Sequence, residues 1–160
     1  MKLTVRNARP EDAEIVKVFV KEHMVRNYPE TSYAQLKEKA EADIEKHCAG
    51  PTSFVLELDG KVIGYLGVSV DTDRYTKQRI GVVHMIHIAE AYRGKGYSHL
   101  LMEKADEFFE KNHVDFKEIS VNANNEPAIE LYKKHGYRLW RCTFKNLPRP
   151  EQLRKKRQSA

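Results

Sequence analysis

Apolar positions along the chain follow two periods, one near 3.6 residues and one of 2, and the changes between them mark out the elements. Residues 2–7 (KLTVRN) alternate apolar with polar, the pattern of a short strand. Pro10, Glu11 and Asp12 then supply a helix start. Proline fits the first helical position, where no N–H is needed, and the two acids lie against the positive end of the helix dipole. Val16, Phe19, Val20 and Met24 follow at helical spacing. Asn27, Tyr28 and Pro29 break that helix, and Ser32 with Gln35 three residues on forms a capping box for the next. Its apolar stripe is Tyr33, Leu36, Ala40 and Ile44, stopped by Gly50 and Pro51.

From there the period falls to 2. Residues 54–58 and 62–70 predict two strands around Asp59-Gly60, a dipeptide suited to a two-residue hairpin turn. After the polar residues 71–78 comes an apolar run, 80–89, holding Val82, Val83, Met85, Ile86 and Ile88. A glycine-rich turn leads into a helix with Leu100, Leu101, Ala105, Phe108 and Phe109. Residues 116–121 predict a strand, 127–135 a short helix ended by Gly136, and 137–144 a last strand. The order β-α-α-β-β-β-α-β-α-β predicts a single α/β (α+β) domain on a mixed, mostly antiparallel central sheet flanked by helices. The β-α-β stretch from Ile80 to Val121 should give one parallel pair, because its crossover helix returns the chain in the same direction.

Length and charge narrow the reading. A chain of 160 residues has room for one domain around one core. The net charge is +5, but +4 of it falls in residues 148–160, so the rest is close to neutral. That predicts a folded body, 1–147, and a basic tail, 148–160, set off by Pro148 and Pro150. It also argues against a pervasively basic nucleic-acid module. No apolar run reaches the roughly 18 residues of a membrane span, so no membrane partner is expected. Polar residues from Lys2 onward leave no signal-peptide pattern. Two cysteines, Cys48 and Cys142, are too few for a disulfide scaffold and predict reduced thiols in a cytoplasmic protein.

The turn Arg93-Gly94-Lys95-Gly96-Tyr97-Ser98 lies between a buried strand and an amphipathic helix. Glycines let the backbone pass close to a ligand, and the free N–H groups of a helix start favour an anion such as pyrophosphate. Two familiar phosphate loops fail here: Gly96 is followed by Tyr97 where a Walker A loop needs lysine, and His99 stands where a dinucleotide fingerprint needs its third glycine. A plain strand-to-helix turn has the same composition.

A second segment decides between these. Y-R-G-K-G-Y-S-H-L-L-M, from Tyr92 to Met102, is followed about 30 residues later by N-x-x-A-I-x-L-Y-x-x-x-G-Y, from Asn125 to Tyr137. Together they resemble the GNAT superfamily of acyl-CoA-dependent N-acetyltransferases, whose pyrophosphate motif R/Q-x-x-G-x-G/A matches at Arg93 and Gly96, with Ser98 as the last small residue. The element order resembles that family over residues 2 to about 146. The resemblance implies that backbone groups of Ile86, His87 and Ile88 bond the pantetheine arm of acetyl-CoA. It implies that Arg93, Gly94, Lys95, Gly96, Tyr97 and Ser98 hold the pyrophosphate. It places Asn125 near the thioester end and Tyr132 beside the sulfur. A phenol of ordinary pKa about 10 can donate to a departing thiolate of pKa about 8.5. No metal is implied.

The resemblance leaves the base unassigned. The glutamate that some members carry on the strand before the asparagine is Ser120 here. His84 and His87 are the nearest substitutes, but they cannot act as a pair, because odd spacing on a strand sends them to opposite faces. His23, Tyr28 and Tyr33 fall in the two-helix segment that lines the acceptor pocket in this family, and also read as ordinary packing. Cys48 reads as core, and Cys142 has no base beside it. The expected function is transfer of the acetyl group to a primary amine by direct attack in a ternary complex. The acceptor is a small molecule or a peptide, and a homodimer stays open. The rival is a non-catalytic acyl-CoA sensor or partner-binding module; a third reading is an RNA-associated modifier recruited by the tail. Between residues 21 and 46 there are five basic and six acidic residues, too balanced a field for a polycationic acceptor.

Overall fold

A computed structural model describes residues 1–27 and 33–146, apart from the side chains of residues 33–36, 38 and 39. The break at Pro29, the cap at Ser32 and the basic tail lie outside the described residues. The chain forms β1 (Leu3–Asn7), a 3₁₀ turn (Pro10–Asp12), α1 (Ala13–Asn27), α2 (Tyr33–Cys48), β2 (Ser53–Leu58), β3 (Lys61–Thr72) and β4 (Arg79–Ile88). A second 3₁₀ turn (Glu90–Tyr92), α3 (Tyr97–Lys111), β5 (Phe116–Ile119) and α4 (Glu126–Lys134) complete it. The sheet runs β1-β2-β3-β4-β5. Every pair is antiparallel except β4 with β5. That parallel pair is the product of the predicted crossover through α3.

Local chemistry explains the joints. Asp59 and Gly60 both take positive φ, 47° and 84°, the backbone of a tight hairpin turn between Leu58 and Lys61. At the start of α1 the Asp12 carboxylate accepts from the Arg9 N–H at 2.8 Å and from Arg6 Nη1 and Nη2 at 2.7 and 3.0 Å. Arg6 also donates to Glu57 at 2.9 Å, so one guanidinium ties the helix start to β1 and β2. Arg6 holds the Asp12 carboxyl below the usual carboxylate range.

Strand alternation builds a core on each face of the sheet. Phe54, Leu56, Leu66 and Val83 pack under Leu101, Ala105 and Phe109 of α3. Val55, Tyr65 and Met85 turn the other way, against Val16 and Phe19 of α1 and Ile44 and Cys48 of α2. Gly81 is a spacing requirement: a Cβ there would stand 2.6 Å from the Phe109 ring. Among the described residues, no helix is long and apolar enough to cross a membrane.

The predicted last strand does not form. After α4, residues 137–146 carry no regular structure, and Leu139, Trp140 and Phe144 stand 82%, 81% and 97% exposed. Alternation specifies a strand only where an edge and a covering layer receive it. β5 is four residues long, and these apolar side chains meet no helix layer beyond it.

Candidate functional site

The sheet forks at one point on β4. Its pairing with β5 covers only Ile80 to Val83, opposite Phe116 to Ile119. At the next residue its register with β3 also slips: Met85 faces Gly67, Val83 faces Val68, and His84 is left as an extra, bulged residue. Residues 86–88 keep β3 as a neighbour and, among the described residues, have no strand on the other side. Alternate backbone groups along that stretch therefore face an open slot. The Ile88 carbonyl accepts from Arg93 Nε at 2.8 Å, which ties the following loop to the end of the strand.

That loop is shaped for close approach. Gly94 and Gly96 have φ of 75° and 77°, and no atom lies within 4 Å of where a Cβ would stand on either. Gly96 caps α3 with no side-chain cap bond; the His99 amide donates to the Gly96 carbonyl at 3.1 Å, and the Tyr97 and Ser98 amides before it suit an anion. Cations surround it. Lys61 and Lys95 hold their ammonium groups 5.5 and 5.7 Å from the Tyr92 ring, and the terminal nitrogens of Arg93 have no partner among the described residues. The expected residues 86–88 and 93–98 are thus adjacent, and the open glycine cradle fits a pyrophosphate.

α4 closes the slot from the far side. Asn125 caps it, its side-chain oxygen accepting from the Ala128 N–H at 3.4 Å. Tyr132 is buried with Met102 and Leu131, and Ile86 of the unpaired β4 stretch packs on that cluster. Burial pushes the Tyr132 phenol up to about 12, so it stays protonated at neutral pH. Beside it, the Tyr137 ring lies 6.2 Å from the Tyr132 ring, and the buried Tyr137 hydroxyl has no hydrogen-bond partner among the described residues.

The bulge corrects one expectation from spacing. His84 and His87 do not lie on opposite faces, because the extra residue shifts the alternation by one. Both turn toward α1 and α2. His87 Nε2 meets Glu22 Oε2 at 2.9 Å and its ring stacks on Phe19 at 5.2 Å; burial lowers its pKa. His84 Nε2 meets Ser69 Oγ at 2.7 Å, and Ser69 donates to Asp71 Oδ1 at 3.3 Å. His84 also borders a cavity of about 200 Å³, walled by Val20, Tyr65 and Met85 with Asp43 and His47 from α2. Asn122, after β5, donates to the Asn27 carbonyl at 3.2 Å and so joins the end of α1 to the loop before α4. Ser120 lies exposed just past β5.

Sequence reasoning missed Glu22, Asp43, Ser69 and Asp71. The available signal was glycine inside a strand, here Gly67 opposite the slip, which often marks a bulge. Cys48 is core, as expected, and burial pushes its thiol up to about 11. Cys142 is exposed. Burial lowers the pKa of His23, whose ring meets the Asn27 amide at 3.2 Å. Tyr28 and the Tyr33 side chain lie outside the described residues.

Residues 9–137 match the Acetyltransferase (GNAT) family. An N-alpha-acetyltransferase of Sulfurisphaera tokodaii is 28% identical over 84% of this chain and 79% of its own. An uncharacterized N-acetyltransferase, MJ1207, of Methanocaldococcus jannaschii is 31% identical over 52% of this chain, which spans only 38% of that protein's length. The solved structure of AAC(6')-Iy, in complex with the bisubstrate analogue CoA-S-monomethyl-acetylneamine, superposes with a TM-score of 0.71 at 15% identity, covering 92% of this chain and 99% of that one. The shared fold, carrying a glycine loop beside an open strand edge, fits these likenesses: the chain belongs to the acetyltransferase (GNAT) family, whose members are acyl-CoA-dependent N-acetyltransferases.

Proposed function

We propose that this protein moves the acetyl group of acetyl-CoA to a primary amine by direct attack in a ternary complex. The observation that carries the reading is the placement of the open glycine loop, residues 93–98, beside the unpaired stretch 86–88 of β4. Acetyl-CoA supplies an activated thioester; the protein's part is to hold and align it. Amides from Gly94 to Ser98, with Arg93 and Lys95, bind the pyrophosphate. Backbone groups of Ile86, His87 and Ile88 bind the pantetheine arm, leading the thioester toward Asn125 and Tyr132.

Tyr132 is then the donor to the departing sulfur. Full proton transfer from a phenol at about 12 to a thiolate of pKa about 8.5 is uphill by about 5 kcal/mol. Its role is therefore a hydrogen bond that strengthens as charge grows on sulfur. A covalent relay through cysteine is disfavoured, since burial holds Cys48 as an inert thiol. A free exposed Cys142 suits a reducing compartment such as the cytoplasm.

The test is a pair of measurements. Acetyl-CoA at about 100 times its Kd should stabilise the fold by about 2.7 kcal/mol, and Gly96→Asp should remove that thermal shift. A shift that survives the substitution undiminished overturns the assignment. Binding without thiol release across an amine library marks a sensor instead.

A further inference from the structure

A line of polar side chains that the acetyl transfer does not use runs from the sheet to the cofactor loop. Its members are Lys117 on β5, Asp106 on α3, His135 at the end of α4 and His99 in the first turn of α3. Lys117 Nζ donates to Asp106 Oδ1. His135 Nδ1 meets Asp106 Oδ2 at 3.2 Å, and His135 Nε2 meets His99 Nδ1 at 3.1 Å. We infer that this line is a proton relay: acetyl-CoA binding draws a proton from solvent onto His99, and His135 and Asp106 hold it there. The inference rests on the cofactor site proposed above and makes its affinity depend on pH.

Hydrogen bonding fixes the direction of the relay. An ionised carboxylate only accepts, so His135 carries its proton on Nδ1 and presents a lone pair at Nε2. His99 then donates from Nδ1, and its own lone pair sits on Nε2. A proton arriving at that nitrogen makes an imidazolium whose charge is shared through His135 with Asp106, as an aspartate steadies the histidine of a catalytic triad. No other bond forms or breaks.

The two helix ends make the proton conditional on the cofactor. His99 lies where the positive end of the α3 dipole opposes a cation. A pyrophosphate on the Tyr97 and Ser98 amides, less than one turn away, reverses that field. His135 caps the C-terminal end of α4, where the dipole favours positive charge, so the relay leads the charge from an unfavourable helix end to a favourable one. Of the other charges on these elements, Arg93 and Lys95 in the loop and Lys134 on α4 oppose the proton, and Glu103, one turn after His99, favours it. Burial raises the pKa of the neighbouring Tyr137 phenol, which stays neutral. The bound state holds more protons than the free state, so affinity rises as pH falls.

The experiment counts protons. Acetyl-CoA is titrated calorimetrically into the whole protein at about pH 7, within the range where histidine ordinarily titrates, once in HEPES and once in Tris. The difference in heat between the buffers gives the protons taken up. For a coupling of about tenfold, uptake should exceed that of His99→Gln by about half a proton per cofactor bound. From about pH 8.5 to about pH 6, the ratio of wild-type to His99→Gln affinity should rise about 5-fold. His99→Asn serves instead should the first variant not keep its melting temperature. Asp106→Asn keeps an acceptor for His135 and removes only the charge, and should reduce the uptake to less than half. Equal uptake in wild type and the His99 variant, or a flat affinity ratio, overturns the inference and leaves the cofactor site standing. No binding of acetyl-CoA to the folded protein overturns both. Uptake lost in the His99 variant but unchanged in Asp106→Asn overturns the relay. In the free protein, imidazole nitrogen NMR shifts should place the proton of both neutral rings on Nδ1; a proton on Nε2 of His135 overturns the relay as well.

Discussion

The two faces of the sheet differ in what their function depends on. On the α3 face, the proposed cofactor loop at residues 93–98 presents bare backbone: positive φ at Gly94 and Gly96 and a helix start with no side-chain cap. On the α1 and α2 face, the side chains around the cavity take their direction from one extra residue in β4. The first kind of site is a property of a short segment. The second is a property of how three strands count against one another. The contrast teaches that the proposed binding loop can be destroyed locally, while the opposite face is sensitive to pairing at a distance.

Four experiments sharpen that contrast. The largest effect is expected from Gly96→Asp, which forces a side chain onto a φ of 77° and sets a carboxylate against the pyrophosphate. Two charge-assisted hydrogen bonds lost at about 2 kcal/mol each would weaken acetyl-CoA binding about 10³-fold, as titration calorimetry will show. Next comes Tyr132→Phe, which keeps the ring in its cluster and deletes only the donor. It should lower kcat about 10²-fold with less than a twofold change in acetyl-CoA affinity, measured where chemistry limits the rate.

The third compares two glycines of different kinds. Gly81→Ala pushes a methyl group into the Phe109 ring, 2.6 Å away, and should cost about 1–3 kcal/mol in urea unfolding. Gly94→Ala meets nothing within 4 Å and should cost only the backbone strain, about 1 kcal/mol, while loosening the cofactor loop. The smallest effect belongs to truncation after Leu147. We propose that the tail is separate from the domain, and kcat of the shortened chain should stay within about twofold.

Legibility in the sequence followed the same division. Local signals placed the hairpin at Asp59-Gly60, the helix start at Pro10 and the glycine loop, because each rests on φ preferences or caps of a few residues. Asn125 and Tyr132 came through the resemblance, and nothing in periodicity alone would have separated Tyr132 from core. The fork was invisible. Nothing in the run from Ile80 to Ala89 says that β5 ends beside Val83, and the odd spacing of His84 and His87 misled because a period of 2 presumes no bulge. Residues 137–144 misled for the converse reason: they alternate, but the edge beside them is the four-residue β5 and no helix layer covers their apolar side chains.

The bulge at His84 also sets what kinds of inherited change this protein can absorb. A substitution between residues 85 and 88 alters one contact. A one-residue insertion or deletion there would exchange the two faces for every residue up to the loop, sending His87 into the apolar layer under α3 and Ile86 away from Tyr132. By contrast, the exposed turn at residues 73–78, where Asp73 organises its own backbone through Tyr75 and Thr76, can change length without reversing any strand. Relatives of this chain should therefore keep the length of the end of β4 fixed, and vary in length across that turn.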